Sequence, residues 1–438
     1  MTGSRAMPHP PEQVHWSRTA TPAIDHPPLT GDTKADVVVV GGGLTGCRTA
    51  LGLADAGVAV TLLEEHDIGW GASGRSGGQC NPVWRETPAQ LARRFGAARA
   101  ERLVNTTLSA ADDLFGDIRN YGIDCDPVQK GWVQAAHTAG SRKALETLHR
   151  GWAEAGARIE TVEGDRVETL SGSPEYRFAL FHATGGHVQP LSLVRGYAAA
   201  AIARGATIHC GGRVRSMSRH AGRWRLETPT GSVSAEQVIL TTNAYTGPSL
   251  SPGLQRTFMP MVSISLATAP LTPEQQAVVL PDRVTLSDTR MAIYYCRYDR
   301  DARLIFGCVG SSERVGTLGG HARLRRGLHT VFPQLRGIGI ESTWAGRIAV
   351  TPEMMPHLHE PAPGVTAALG FSGRGIAMTS VMGRALTRKI LGDPEETLPF
   401  PVVPVKPIFL RAPLASLIPL AAPAMSIKDW LDRRLDRP

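Results

Sequence analysis

A chain of 438 residues, 42% hydrophobic and 20% charged, has the length for two or three domains and the balance of a globular protein rather than a disordered one. Its net charge of +8 comes mainly from arginine, and no Lys/Arg block interleaved with aromatics stands out, which argues against nucleic acid as a partner. The six cysteines (Cys47, Cys80, Cys125, Cys210, Cys296 and Cys308) form no CxxC pair and no Cys/His ligand set, so free thiols in a reducing compartment are expected, and no metal.

The opening MTGSRAMPHPPEQ lacks the apolar core of a secretory signal, so a cytoplasmic location is expected. Residues 1–32, rich in Pro, His and Thr, read as an extended arm, and His9, His15 and His26 read as solvated tail histidines without metal spacing. Asp36-Val37-Val38-Val39-Val40 is a β-branched run typical of a strand buried on both faces. Gly41, Gly43 and Gly46 follow as G-x-G-x-x-G: one for the tight turn, one for approach of a pyrophosphate, one for close helix–strand packing. A helix is predicted over 44–56, with Leu44, Thr45 and Cys47 in its first turn and Gly57 as its stop. Val58 to Leu63 is a second strand ending in Glu64 and Glu65, where a carboxylate can accept hydrogen bonds from ribose hydroxyls. Strand, glycines, helix, strand and acid in this order mark a dinucleotide-binding unit.

Ile68 to Gln79 then packs glycines around Ser73, Arg75 and Ser76, a loop suited to backbone contact with a ligand. GWGASGRSGGQ after GGGLTG and LLEE resembles the FAD-dependent D-amino-acid oxidase superfamily. Within it, the branch is that of glycine and sarcosine oxidases and of gamma-glutamylputrescine oxidase-like amine oxidoreductases. The resemblance implies that Gly71, Ala72, Ser73, Gly74, Arg75, Ser76, Gly77, Gly78 and Gln79 run along the FAD pyrophosphate towards the flavin ring. The implied fold is α/β: a Rossmann-like FAD-binding domain with a parallel sheet (33–90, 156–258 and 341–400), and a substrate domain built on an antiparallel sheet (91–155 and 259–340). A C-terminal tail, 401–438, packs on the body.

Further along, helices are predicted over 88–121, 142–155 and 193–203, with a strand over 131–134 and a meander from Thr207 to Leu240. The resemblance places the backbone around Val214 at the adenine, and Thr242 and Asn243 in a second turn against FAD. Alternating strands over 262–268, 291–295 and 304–308 and a helix over 323–331 suit the second domain. Gly370-Phe371-Ser372-Gly373-Arg374-Gly375-Ile376-Ala377, leading into a helix over 378–391, resembles the family's G-x-S-G-H-G, with Arg374 in place of histidine. Helix-terminal amides there can hydrogen-bond the flavin C2 carbonyl and stabilise charge on the reduced ring. The stretch from Ile408 to Met425 is broken by Pro413, Pro419, Pro423 and Arg411, so no membrane span is expected.

Tyr295 and Arg297 fall on one face of a strand and Tyr294 on the other. Tyr295 could shape an amine pocket and Arg297 could pair with an anion, or both could belong to core and surface, since periodicity leaves open which face turns inward. Tyr295, Arg297 and Arg374 are thus the candidate catalytic residues, and His357 and His359 read as surface or supporting histidines. The covalent-attachment cysteine of similar sarcosine oxidases matches Gly346, so non-covalent FAD is expected. Their carboxylate lysine matches Ala377, and no lysine lies between Lys143 and Lys389 to promote reaction with oxygen. The implied chemistry is oxidation of the CH–NH bond of an amine or amino acid, hydride passing to flavin N5 and the imine being hydrolysed. O2 or another acceptor takes the electrons, and the oligomeric state is left open. The alternatives are a 2-hydroxy-acid or glycerol-phosphate dehydrogenase, and a non-catalytic flavin subunit of a larger enzyme.

Overall fold

Val37–Val40 lies inside a six-stranded sheet in the computed structural model, which describes residues 14–436; His9 falls outside them. The strand order is His357–Ala362, Val365–Leu369, Gln237–Leu240, Val37–Val40, Val60–Leu63, Thr207–His209. All neighbours run parallel except the first pair. All four valines are buried because the sheet is covered twice. Val37 and Val39 join the core beneath the helices, whereas Val38 and Val40 join a second core with Leu226 and Val233. That second core lies under a four-stranded sheet of Gly31–Lys34, Gly231–Ala235, Arg223–Glu227 and Ser216–His220.

On the helical side, Leu44–Asp55 packs against Pro190–Ala203 and Gly375–Ile390. The approach is close: a Cβ on Gly383 would stand 2.8 Å from Arg48 Cβ. The helix expected over 88–121 is two, Pro88–Phe95 and Ala97–Asn120, because Gly96 takes φ 78° between them.

An eight-stranded sheet forms the other body, in the order Ile340–Val350, Met259–Pro270, Arg303–Gly310, Tyr295–Tyr298, Thr285–Asp288, Trp132–Ala135, Phe178–His182, Ile159–Glu163. Its pairs are antiparallel except Thr285–Asp288 with Trp132–Ala135. Two of the expected domain limits therefore move. Ile159–Glu163 and Phe178–His182 belong to this sheet rather than to the nucleotide side, and so does Ile340–Val350, paired with Met259–Pro270 from Met259↔Val350 to Thr268↔Ile340. Periodicity reveals a strand but not the sheet edge on which it docks.

The described part of the arm is anchored at its start, while residues 22–25, 27–28 and 30–32 are exposed. His15–Thr19 is a short helix with His15 and Trp16 buried; His15 Nε2 lies 2.8 Å from Asp299 Oδ2, and Trp16 Nε1 donates to Ser76 O at 2.8 Å. His26 is half-buried, and burial lowers its pKa. At the other end, Ile418–Leu435 packs on the body through Ile418, Ala422 and Asp429, and Arg411–Ser416 before it is tied by Arg411 Nε donating to Phe258 O at 2.9 Å. No helix among the described residues is long and apolar enough to cross a membrane.

Candidate active site

A cavity of about 1760 Å³ opens at the carboxyl ends of the parallel strands and extends to the large sheet. Of the expected cofactor residues, Gly41, Gly43, Leu44, Thr45, Glu64, Glu65, Gly71, Ala72, Ser73, Arg75, Ser76, Gly77, Gly78, Gln79, Val214, Thr242, Asn243, Gly346, Gly373, Arg374, Gly375 and Ile376 line it. Gly46, Gly74 and Ala377 stand behind this lining. A Cβ on Gly46 would meet Gly41 O at 2.0 Å and one on Gly74 would meet Gly69 O at 2.3 Å, while Ala377 is buried within its helix. The two glycines permit the backbone crossings that shape the cavity.

The turn after Val40 is built for an elongated anionic ligand. Gly41 has φ 114°, a conformation reserved for glycine, and Leu44 N is tied to Ser73 Oγ at 2.9 Å. Gly42 N donates to Glu64 Oε2 at 2.6 Å and His66 N to Glu64 Oε1 at 2.9 Å. Burial pushes the Glu64 carboxyl up, and these amides oppose that shift. Each Glu64 oxygen keeps a second lone pair for a hydroxyl donor in the cavity. A side chain on Gly43 would stand 2.9 Å from Ser73 Oγ, so the helix N-terminus stays open to a pyrophosphate. Asn81 Oδ1 is a buried acceptor in the lining with no partner among the described residues. Size, cradle and acceptors all fit an FAD-sized dinucleotide.

At the far end, Gly370–Gly375 turns into Gly375–Ile390 through three left-handed residues, Gly370, Ser372 and Gly373. Ser372 is the strained one, and its Oγ holds the turn by donating to Gly370 O at 3.0 Å and accepting from Thr351 N at 3.3 Å. Arg374 follows, 8% exposed, its Nη1 donating to Pro82 O at 3.2 Å and its guanidinium 5.1 Å from the Trp132 ring. Burial, and then Arg85, pulls its pKa down to about 9. Arg85 lines the same cavity, donates to Ser372 O at 3.2 Å, and is accessible there. Neither arginine has a carboxylate partner among the described residues. Arg290 and Arg347, also in the lining, are by contrast neutralised by Asp288 with Glu175 and by Glu313.

His182 stacks on Trp132 with ring centres 4.2 Å apart, and burial, then Arg374, holds its pKa well below 6.5. Burial, then Arg297 and Arg283, does the same to His187. Both stay neutral in the fold but protonate near pH 6.5 when unfolded, so the unfolded chain binds more protons below that pH and stability falls as pH falls. Denaturant titrations are expected to lose roughly 2–3 kcal/mol per pH unit below about pH 6, and His182→Gln to remove about half of that slope.

Tyr295 lines the cavity, its hydroxyl fixed 2.8 Å from Ser263 Oγ and 3.0 Å from Ser265 Oγ. Arg297 shares its face but is a correction to the expected anion site. It is fully buried outside the lining, donating to Gly77 O, Tyr298 O and Val188 O at 2.7–2.8 Å, with its guanidinium 4.4 Å from the Trp16 ring. With three of its five N–H donors it ties the glycine loop to the sheet, buried away from the cavity. Gln79 helps, Nε2 donating to Leu286 O and Cys296 O at 3.0 and 2.8 Å. His359 is likewise no surface residue: it is buried with Nδ1 2.8 Å from Val403 O, while His357 pairs with Glu353. Sequence reasoning missed Arg85, Trp132, Tyr245 and the C-terminal helices, all in the lining. The pair Trp84-Arg85 just beyond the glycine loop was the one available signal.

Residues 36–389 match the model of the DAO family, FAD dependent oxidoreductase. A probable oxidoreductase OrdL of Haemophilus influenzae is 33% identical over 376 residues, 84% of this chain and 86% of that protein. The gamma-glutamylputrescine oxidoreductase of Escherichia coli is 29% identical over 92% of this chain and 95% of its own length. Among solved structures, glycine oxidase from Geobacillus kaustophilus superposes with a TM-score of 0.68 at 21% identity, covering 82% of this chain and 95% of that one.

Proposed function

Because the chain belongs to the DAO family of FAD-dependent oxidoreductases, we propose that it oxidises the CH–NH bond of an amine or amino acid bearing a carboxylate, with gamma-glutamylputrescine-like and other N-substituted amines as the leading class. The observation that carries the reading is the pair Arg85 and Arg374, two cations without a carboxylate partner among the described residues, beside Trp132 in the cavity. Paired cations with no protein anion suit a substrate that brings its own.

FAD, when bound, supplies the acceptor for the electron pair. The chain's residues do the rest. Gly41–Thr45 and Glu64 would hold the dinucleotide, and Gly346, free of a cysteine thiol, leaves it non-covalent. Arg374 and Arg85 would orient the carboxylate, so that the reacting carbon is presented in one pose. Leu145 and Leu148 line the same cavity and keep water from the amine, favouring the neutral nitrogen whose lone pair must assist C–H cleavage. The substrate loses the C–H and N–H hydrogens as two electrons and two protons, and water converts the imine to a carbonyl compound and a freed amine.

An anaerobic absorbance titration of the FAD-loaded protein tests this. Carboxylate-bearing amines are expected to bleach the flavin, and their methyl esters to do so at least about tenfold less effectively. The same two cations would accept a phosphate or a 2-hydroxy acid, so bleaching by hydroxy acids and not by amines establishes that alternative. No lysine lines the cavity among the described residues, and slow reoxidation in air, marking an acceptor other than O2, is the expected second result.

A further inference from the structure

Nine of the sixteen large apolar side chains that stand exposed among the described residues fall within residues 409–435. They are not scattered there. In Ile418–Leu435 the inward side is Ile418, Ala422 and Asp429, whereas Leu420, Ile427 and Leu431, spaced by seven and four, form one outward stripe with Trp430 beside it. Leu435, 84% exposed, ends the same helix, and Phe409, 83% exposed, precedes the helix pair. A helix that only closed a globular body would turn polar residues outward; this one is apolar on the face that nothing covers.

We propose that this face is a membrane-docking surface that lies in the plane of an anionic bilayer. The charges around it favour that occupant. Lys406 and Arg434 are exposed and have no carboxylate partner among the described residues, and Arg434 sits 4.6 Å over the Trp430 ring, an amphipathic pair suited to headgroup depth. Of the three acids at the helix's C-terminal end, Asp429 is buried and accepts from Met291 N and Ala292 N, Asp432 pairs with Lys428, and Asp436 accepts from Ala139 N. A second copy is the poorer occupant, because it would bring another chain of net charge +8 against the same basic rim. The helix is neither long nor apolar enough to span, so it would lie flat. Leu420 of the stripe lines the cavity together with Ala421, Ala424 and Met425 of the same helix, so docking would set the cavity mouth at the lipid surface.

The test is co-sedimentation of the full-length, FAD-loaded protein with vesicles of phosphatidylcholine alone or containing about one-third phosphatidylglycerol. Anionic vesicles are expected to bind at least about tenfold more protein, with loss of binding at about 0.5 M salt and a blue shift of tryptophan emission. The double variant Ile427→Gln/Leu431→Gln should stay in the supernatant with its FAD content unchanged. Arg434→Glu, which leaves the packing face untouched, should weaken binding about fivefold or more. Wild-type protein that ignores both vesicles overturns the proposal. So does a lipid-free dimer that the double variant dissociates, which would make this face an interface between copies.

Discussion

Replacing Arg374 by methionine is expected to give a folded, FAD-loaded protein whose KM for a carboxylate-bearing amine rises about 30–100-fold, while its KM for the methyl ester of that amine changes less than about threefold. A charge-assisted, two-pronged hydrogen bond to a carboxylate contributes roughly 2–3 kcal/mol, which sets that range. The split between acid and ester matters because a merely structural arginine would damage both substrates alike. Lysine does not restore the site: it has no planar fork, and a buried ammonium beside Arg85 is driven towards its neutral form. The same substitution is expected to raise the stability of the substrate-free protein by about 1–2 kcal/mol. The guanidinium is buried without a counter-charge, and methionine fills similar volume without that penalty. Loss of acid selectivity together with a higher melting temperature is the signature of a residue kept for its ligand; a lower melting temperature with unchanged selectivity would assign Arg374 to structure instead.

How much of this was legible in the chain follows from how local each feature is. The turn from Val40 to Glu64 could be read because strand, glycines, helix and acid lie in one contiguous stretch, and backbone conformation there demands those residue types. The turn at Ser372 was legible for the same reason. The substrate end was not, because Arg85, Trp132 and Arg374 come from three separate segments and meet only in the folded chain. Arg297 shows the limit most sharply. Alternation put it on the same face as Tyr295, yet whether that face met a ligand or protein depended on Trp16 and on the Val188 backbone. His15 was misjudged and His359 left open between surface and support for the same reason: each is buried by a segment distant in sequence, through Asp299 in one case and Val403 in the other.

The strongest effect on the cofactor should come from Glu64, and it separates two adjacent acids that the sequence alone leaves equivalent. Glu64 closes the glycine turn by accepting from Gly42 N and His66 N, so one carboxylate both orders the cradle and offers its remaining lone pairs to the cavity. Glu64→Ala leaves two amides without an acceptor and removes the acceptor we propose for the ribose; FAD affinity is expected to fall about 100-fold or more, and the apoprotein to lose roughly 2–3 kcal/mol. Glu64→Gln keeps the shape but turns a donor towards one of the two amides, so its losses should be intermediate. Glu65 is 37% exposed in its side chain, with His66 and Arg213 no nearer than 3.9 Å. Such a pair contributes little in water, and Glu65→Ala should change FAD affinity less than about threefold. Fluorescence of FAD released on dilution measures all three, with thermal unfolding of the apoproteins as the control for the fold. If Glu65→Ala sheds the flavin and Glu64→Ala keeps it, the ribose is held by the outer acid, and Glu64 serves only to brace the turn.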